Sequence, residues 1–284
     1  MRVATIDNRL CVIRPEGAVD IATVTGGEFP ADPAGLMARW DDFRAWAAAH
    51  AAELEAAPAA EYQSADLDAP VPCPSQIFAI GLNYRDHAAE AGLDLPEGSP
   101  VVFAKFSSSV VGPHAEVVLP SDAVDFEAEL VVVIGRGGHG ISRDEAWDHV
   151  AGLTLGQDLS ERLVQWRGPS PQFSLGKSYP GFSPVGPVIV TPEEFPDREA
   201  IALGCTLNGE SMQDGTTADM VFAIDELIEQ LSAVATLLPG DLIFTGTPAG
   251  IGWTRDPRVT LKAGDRLVTH AEIIGELTTT FTTA

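Results

Sequence analysis

The chain has 284 residues, 45% of them hydrophobic, which is typical of a globular protein with a large buried core. Its 17 basic and 41 acidic residues give a formal net charge of −24, which argues against binding to nucleic acids or anionic membranes. Three widely spaced cysteines predict neither a disulfide framework nor a zinc site. Because neither a signal-peptide core nor a run of roughly 20 apolar residues is found, we expect a cytoplasmic protein.

The first 70 residues are predicted to form a small N-terminal α+β module. Short strands extend to about residue 25, with turns at Asn8-Arg9 or Glu16-Gly17. Residues 34–57 change to a helical pattern. Prolines crowd the segment 65–74, which we interpret as a linker to a main domain over residues 71–284.

The main domain is predicted to be mainly β, with an α+β fold built as a mixed β-sandwich or β-roll. Strands outnumber helices and do not alternate with them regularly, which argues against a doubly wound sheet. The predicted helices are 84–92, 142–150 and 219–236, and the second begins with a capping box from Ser142 to Glu145. The predicted strands are 77–82, 101–106, 116–119, 127–135, 151–158, 186–191, 201–207, 241–246, 266–274 and 276–282.

A glycine motif follows one of these strands, at Gly135, Gly137 and Gly140. A dinucleotide-binding fingerprint of this spacing requires the helix to begin inside the glycine turn. Here the predicted helix begins after the last glycine. The motif therefore does not indicate nucleotide binding.

Three carboxylates converge from two predicted strands. Glu127 and Glu129 point to one face because side chains alternate along a strand, and Asp158 ends the following strand. Buried together, they would require a compensating cation, and oxygen ligands suit Mg²⁺, Mn²⁺ or Ca²⁺ rather than zinc. The alternative is that both glutamates face solvent at a sheet edge.

A histidine and a glutamate face each other on the helix predicted at 84–92. His87 and Glu90 are three residues apart, so the carboxylate can bond one imidazole nitrogen and leave the other to deprotonate water. The alternative is an ordinary surface pair.

Two further segments carry polar groups in loops. Lys177 is one of only three lysines, with Lys105 and Lys262, and its position between glycines and prolines predicts an exposed reactive group. A strand ends in the glycine-rich turn at Gly246-Thr247, whose N–H groups and hydroxyl could bind a carboxylate. The alternative for this turn is a structural β-turn.

Taken together, these motifs resemble the fumarylacetoacetate hydrolase family, over about residues 76 to 281. The matching pieces, in chain order, are Gly81-Leu-Asn-Tyr-x-x-His87-x-x-Glu90, Phe103-x-Lys105, Glu127-x-Glu129-Leu, Asp158-x-Ser-x-Arg162, Gly176-Lys177-Ser, Asn208-Gly-Glu and Pro239-Gly-Asp-x-Ile-x-Thr-Gly-Thr-Pro-x-Gly250.

The resemblance implies a role for each matching position. Glu127, Glu129 and Asp158 match the ligands of Mg²⁺ or Mn²⁺, a site where Ca²⁺ could bind in a crystal. The resemblance assigns water activation to His87 and Glu90, and stabilisation of oxyanion and enolate charge to Lys177. It assigns substrate contacts to Gly246, Thr247, Arg162 and Gln165. Relatives also imply a homodimer and a mobile segment from His87 to about Pro100 that closes over the substrate.

The activity that we expect is hydrolysis of a C–C bond in an acylpyruvate, a small anionic 2-oxo acid from aromatic catabolism. Pro180 and Leu163 replace acidic residues that are frequent in the family, which leaves the reaction open. The alternatives are isomerisation of a hydroxymuconate or 2-hydroxyhepta-2,4-diene-1,7-dioate, decarboxylation of oxaloacetate, and a catalytically silent relative that only binds metal or ligand. Retention of His87, Glu90 and Lys177 together favours an enzyme over a silent relative.

Overall fold

A computed structural model describes residues 1–283 and shows a protein built mainly of strands. The strands are Arg2–Ile6 (β1), Arg9–Arg14 (β2), Gly17–Asp20 (β3), Leu67–Asp68 (β4), Ile77–Gly81 (β5), Val101–Ala104 (β6), Val110–Val111 (β7), His114–Leu119 (β8), Val124–Asp125 (β9), Ala128–Ile134 (β10), Val150–Gln157 (β11), Ser160–Glu161 (β12), Ser183–Val190 (β13), Ala202–Leu207 (β14), Glu210–Thr216 (β15), Leu242–Phe244 (β16), Arg266–Ala271 (β17) and Gly275–Thr283 (β18).

The helices are short and lie between the strands. The α-helices are Ile21–Val24 (α1), Pro33–Met37 (α2), Trp40–Ala49 (α3), Ala51–Ala56 (α4), Arg85–Ala91 (α5), Arg162–Gln165 (α6), Phe173–Gly176 (α7) and Ile224–Ser232 (α8). Single turns of 3₁₀ helix occur at Ser64–Asp66, Ser107–Ser109, Pro192–Glu194 and Thr217–Asp219, and a longer one at Arg143–His149. In the described part of the chain, none of the helices has both the length and the hydropathy needed to cross a bilayer.

Most strands belong to two mixed sheets. The larger has the order β3-β2-β1-β13-β11-β10-β16-β5-β6, with β4 also paired to β1 and β7 to β13. The smaller has the order β15-β14-β17-β18-β8. The pairs β5–β16 and β8–β18 are parallel, while β10 is antiparallel to both of its neighbours. The prediction of a mainly β, mixed α+β fold is confirmed.

The β10 strand lies in the middle of the larger sheet, and all seven of its residues are buried. Leu130 and Val132 belong to the apolar cluster that contains helix α8, while Val131 and Val133 belong to the cluster that contains α2 and α3. Burying each such side chain contributes roughly 1.5–3 kcal/mol. A continuous β-branched run is typical of a strand covered on both faces, and this packing holds the N-terminal end of β10 in a fixed place.

The N-terminal strands extend the larger sheet, because β1 pairs with β13 as well as with β2. Helix α2 begins with Pro33, and the Asp32 carboxylate accepts the Gly35 N–H at its N-terminus. Trp40 and Phe43 of α3 are buried in the same apolar cluster as Val131. The division of the chain at residue 70 stays a prediction.

Three details of the sequence prediction were wrong. The helix predicted over 142–150 is a 3₁₀ helix, and Ser142 Oγ donates to the Glu145 carboxylate instead of forming a capping box. The helix predicted over 219–236 is confined to Ile224–Ser232. The polar strand Glu210–Thr216 was not predicted.

No helix begins inside the turn from Gly135 to Gly140, so the structure also lacks a dinucleotide-binding turn there.

Candidate metal centre

The antiparallel pairing of β10 and β11 brings the three predicted carboxylates together. Ala128 lies opposite Gln157, and the Asp158 N–H donates to the Glu127 carbonyl over 2.9 Å. Ligand oxygens of Glu127, Glu129 and Asp158 all lie within 4.8 Å of one another. The three side chains are buried rather than exposed at a sheet edge.

Three cationic side chains surround two of these carboxylates. Lys177 Nζ donates to Glu127 Oε2 over 2.7 Å and also donates to Asp158 Oδ2. Arg162 Nη2 donates to Glu127 Oε1 over 2.6 Å, and Lys105 Nζ donates to Asp158 Oδ1. Burial opposes ionisation of Glu127, but Lys177 and then Arg162 outweigh it and lower its pKa to about 2.

Glu129 is in a different electrostatic environment. Its Oε2 accepts the Gly246 N–H over 2.8 Å, and among the described residues it forms no ion pair. Burial, and then repulsion from Asp158 and Glu127, raise its pKa well above the usual range. An oxygen-ligand cluster with one uncompensated buried carboxylate fits a hard divalent cation such as Mg²⁺ or Mn²⁺. These three side chains are the residues that could hold it.

The Glu129 contact depends on a glycine. Gly246 has a φ of 98°, and a Cβ there would lie 2.8 Å from the Cβ of Asn83. The Asn83 side chain is itself fixed, since its amide donates to the carbonyls of Phe222 and Thr245. Only glycine therefore fits this turn while directing its N–H at the carboxylate.

The predicted His87–Glu90 pair forms on helix α5. His87 Nδ1 lies 3.3 Å from Glu90 Oε2, and Gly250 N donates to Glu90 Oε1 over 3.0 Å. Burial opposes ionisation of Glu90, but donation from His87, Thr254 and Gly250 outweighs it and lowers the Glu90 pKa. With Nδ1 held in this way, Nε2 is the nitrogen left for proton transfer.

The predicted substrate-binding residues differ in what they already bind. The Thr247 hydroxyl donates to the Ala128 carbonyl over 2.8 Å and accepts from Gln213. Arg162 Nη1 and Gln165 Oε1 are 3.5 Å apart, and the buried Gln165 Nε2 has no hydrogen-bond partner among the described residues. Gln165 therefore offers a free donor, whereas the Thr247 hydroxyl proton is engaged.

Lys177 does not lie in an exposed loop, contrary to the sequence prediction. It follows α7 and is only 4% exposed. Two carboxylates bind its ammonium group, and the face of the Phe103 ring lies 5.1 Å away. Burial would lower the Lys177 pKa, but Asp158 and Glu127 raise it, which keeps the side chain cationic.

Lys105 and Asp125 are buried charged residues beside the cluster that were given no role from the sequence. Lys105 Nζ donates to Asp158 and also to the carbonyls of Lys177 and Phe182, the latter over 3.1 Å. Asp125 is fully buried and binds Arg162. The signals were present: Lys105 is one of three lysines, and Asp125 continues the alternation of Glu127 and Glu129 back by one step.

One cavity lies away from the carboxylate cluster. It has a volume of about 670 Å³ and is lined by residues of the N-terminal strands and helices, including Arg9, Val24 and Tyr62. None of the acidic and basic residues that surround Glu127 lines this cavity. The chemistry of the carboxylate cluster, rather than cavity size, therefore defines the candidate site.

Relatives with known names match most of the chain. It is 44% identical to human oxaloacetate tautomerase FAHD2A, mitochondrial, over 73% of this chain and 66% of that protein. The chain thus spans just under two thirds of that relative's length.

Solved structures match the whole chain. A Mycobacterium smegmatis protein provisionally named HpcE superposes with a TM-score of 0.93 at 46% identity, covering 100% of both chains. Maleylpyruvate hydrolase from a Sphingobium species, in complex with manganese(II) ion and pyruvate, superposes with a TM-score of 0.78 at 29% identity, again covering both chains completely. The family model for the fumarylacetoacetate (FAA) hydrolase C-terminal region matches residues 76–282, so the chain belongs to the fumarylacetoacetate hydrolase family of enzymes.

Proposed function

We propose that the protein catalyses keto–enol tautomerisation of a 2-oxo acid of the oxaloacetate type. The observation that carries this proposal is the buried cluster in which Lys177 contacts Glu127 and Asp158, with the His87–Glu90 pair on α5. The name of the human relative, oxaloacetate tautomerase, supports oxaloacetate as the first substrate to test.

A divalent cation held by Glu127, Glu129 and Asp158 would act as a Lewis acid on the 2-oxo group. His87 Nε2 removes a proton from C3 of the substrate and then delivers it to the 2-oxo oxygen to give the enol, and the reverse reaction moves it back to C3, while Glu90 holds the ring by Nδ1. The Lys177 ammonium group offsets the negative charge that develops on oxygen. Gln165 Nε2, which lacks a partner among the described residues, donates to the substrate carboxylate.

Hydrolysis of a C–C bond in an acylpyruvate is a second candidate, because the His87–Glu90 geometry would also deprotonate water. In that reaction water gives a proton to His87 and attacks the distal carbonyl, Lys177 offsets the tetrahedral oxyanion, and the C–C bond breaks to release a carboxylic acid and an enolate that the His87 proton converts to pyruvate. The pyruvate bound to the maleylpyruvate hydrolase of Sphingobium supports this alternative. Isomerisation of a hydroxymuconate and decarboxylation of oxaloacetate would use the same residues.

The test follows ultraviolet absorbance of enol-oxaloacetate with Mg²⁺ or Mn²⁺ and, in parallel, pyruvate release from acylpyruvates. Lys177→Met is expected to lower tautomerisation by about 10²–10³, the usual effect of removing one oxyanion donor. Lys262→Met, at an exposed lysine, is the matched control and should keep the parent rate. A parent rate equal to that of the metal ion alone would refute the tautomerase proposal, and pyruvate release would then favour hydrolysis.

A cytoplasmic location and assembly as a homodimer complete the proposal. The human relative is named as mitochondrial, which is a property of that protein. Size-exclusion chromatography with light scattering would measure the assembly state, and a mass near the 30.0 kDa of one chain would contradict the dimer.

A further inference from the structure

Asp125 collects hydrogen bonds from two separate parts of the site. Its Oδ2 accepts Arg162 Nε over 3.0 Å and also accepts Arg162 Nη2. Its Oδ1 accepts Gly252 N over 2.8 Å, and its Oδ2 accepts Trp253 N over 3.2 Å. A fully buried carboxylate with this many donors is fixed in one orientation.

The loop that contains Gly252 is shaped for this contact. A Cβ on Gly252 would lie 2.7 Å from Asp125 Oδ1 and 1.9 Å from the Val259 carbonyl oxygen. Any larger residue would therefore push the backbone away from the carboxylate. Glycine at this position therefore lets the loop backbone approach both Asp125 and the Val259 carbonyl.

Arg162 and the loop that contains Gly252 each contact a group of the candidate site. Arg162 Nη2 donates to Glu127 as well as to Asp125. Two residues before Gly252, the N–H of Gly250 donates to Glu90, the partner of His87. Asp125 is thus connected to the carboxylate cluster through Arg162, and to the His87–Glu90 pair through the loop from Gly250 to Trp253.

We propose that Asp125 is a positioning residue that holds Arg162 against Glu127 and holds the 250–253 loop against Glu90. It acts through these groups and does not touch the substrate. In Asp125→Asn the amide nitrogen would face either the donors of Arg162 and Trp253 or the N–H of Gly252, so at least one contact is lost while the side-chain volume stays nearly the same. The turnover part of the proposal rests on the proposed function.

The first measurement is hydrogen exchange of the backbone amides in the 250–253 loop, which needs no substrate. Asp125→Asn is expected to raise exchange at Gly252 and Trp253 at least about tenfold. The control is Asp241→Asn, because Asp241 is an equally buried aspartate that accepts N–H groups from Gln76 and Leu238 away from the site. Loop exchange should stay at the parent level in that control.

The second measurement is a double-mutant cycle in kcat for the substrate that the parent turns over. Asp125→Asn alone should lower kcat by about 10–10², with a change in KM below about threefold, since displaced catalytic geometry slows the chemical step. In an Arg162→Met background the same change should lower kcat by a smaller factor than it does alone, because only the hold on the loop remains to be lost. If Arg162→Met does not fold, Arg162→Lys replaces it, because lysine keeps the positive charge but lacks the planar guanidinium group that can donate to two carboxylates at once.

The outcomes are distinct. Additive losses in kcat would overturn the coupling through Arg162, and unchanged exchange in Asp125→Asn would overturn the hold on the loop. Asp125→Ser, which keeps one acceptor on a smaller side chain, replaces Asp125→Asn for the exchange test if that protein does not fold. A parent without any turnover would count against the proposed function alone, because the exchange measurement would still decide the role of Asp125.

Discussion

Glu127 and Glu129 are expected to affect stability with opposite sign, although they share one strand and one face. The change to test is Glu129→Gln in protein kept metal-free with a chelator. Gln can still accept the Gly246 N–H, so the substitution removes charge and little else. Because the pKa of Glu129 is raised, the folded state binds a proton that the unfolded state releases. Above the unfolded pKa, rising pH therefore lowers the parent's free energy of unfolding.

The magnitude follows from the geometry. At 4.8 Å, the upper limit of the separations between these ligand oxygens, two like charges repel by about 3.5 kcal/mol at an effective dielectric constant of 20. Asp158 and Glu127 repel Glu129 while Lys177 attracts it, which leaves roughly one such repulsion. The Glu129 carboxylate can avoid this repulsion by taking up a proton. The loss of folding free energy at Glu129 is therefore limited to the free energy of that protonation, about 1.4 kcal/mol for each pH unit above 4.5, or about 3.4 kcal/mol at pH 7. We expect Glu129→Gln to stabilise the metal-free protein by about 1–3 kcal/mol.

Glu127→Gln is the matched control. Ion pairs lower the pKa of Glu127 from 4.5 to about 2, so its contribution is present above pH 4.5 and is lost as pH falls towards 2. That difference corresponds to at most about 3.4 kcal/mol, which Glu127→Gln would lose at pH 7.

The assay is urea unfolding with chelator from pH 5 to 8. The parent's free energy of unfolding should fall with rising pH, and the curve for Glu129→Gln should be flatter. Excess Mg²⁺ should raise the melting temperature of the parent more than that of either variant. Equal destabilisation by the two substitutions at pH 7 would refute the assigned charge environments.

Three further outcomes are expected. Residues 92–100 should exchange amide hydrogens faster than β10, and pyruvate with Mg²⁺ should slow that exchange. Exchange as slow as in β10 without ligand would contradict a mobile segment that closes over the substrate. Gly246→Ala should lower the free energy of unfolding by about 1–3 kcal/mol in chemical denaturation and weaken Mg²⁺ binding, because the added Cβ meets Asn83 at a positive φ. Unchanged Mg²⁺ affinity would contradict the role of this turn. Calorimetry should detect pyruvate binding with Mg²⁺ and none with chelator, and equal affinity in both would contradict an ordered site.

The shared face of Glu127 and Glu129 could be predicted because it depends on local geometry, whereas Asp158 joins them through the pairing of β10 with β11. Strand alternation puts Glu127 and Glu129 on one face whatever the rest of the fold does. The pairing of His87 with Glu90 follows in the same way from helical spacing. Such short-range rules do not depend on how distant segments pack.

The errors arose where long-range contacts decide the structure. Lys177 follows glycine and serine residues that suggest an exposed loop, but carboxylates 19 and 50 positions away bind its ammonium group. The strand Glu210–Thr216 has no apolar alternation, and it forms because its backbone pairs with β14. The role of Asp125 was missed for the same reason, since Arg162 and Gly252 approach it from distant parts of the chain.

The charge balance of the site explains how so acidic a protein could bind an anionic substrate. The chain has only three lysines, and two of them, Lys105 and Lys177, lie in this cluster with Arg162. When Asp125 is counted with the three candidate ligands, the buried carboxylates outnumber these cations by one. Because the pKa of Glu129 is raised without a metal ion, the metal-free cluster would be close to neutral, whereas a divalent cation bound by ionised Glu129 would make it positive and attract a 2-oxo acid carboxylate. The lysines therefore keep the cluster close to neutrality in the fold, and the metal ion would make it a site for an anion.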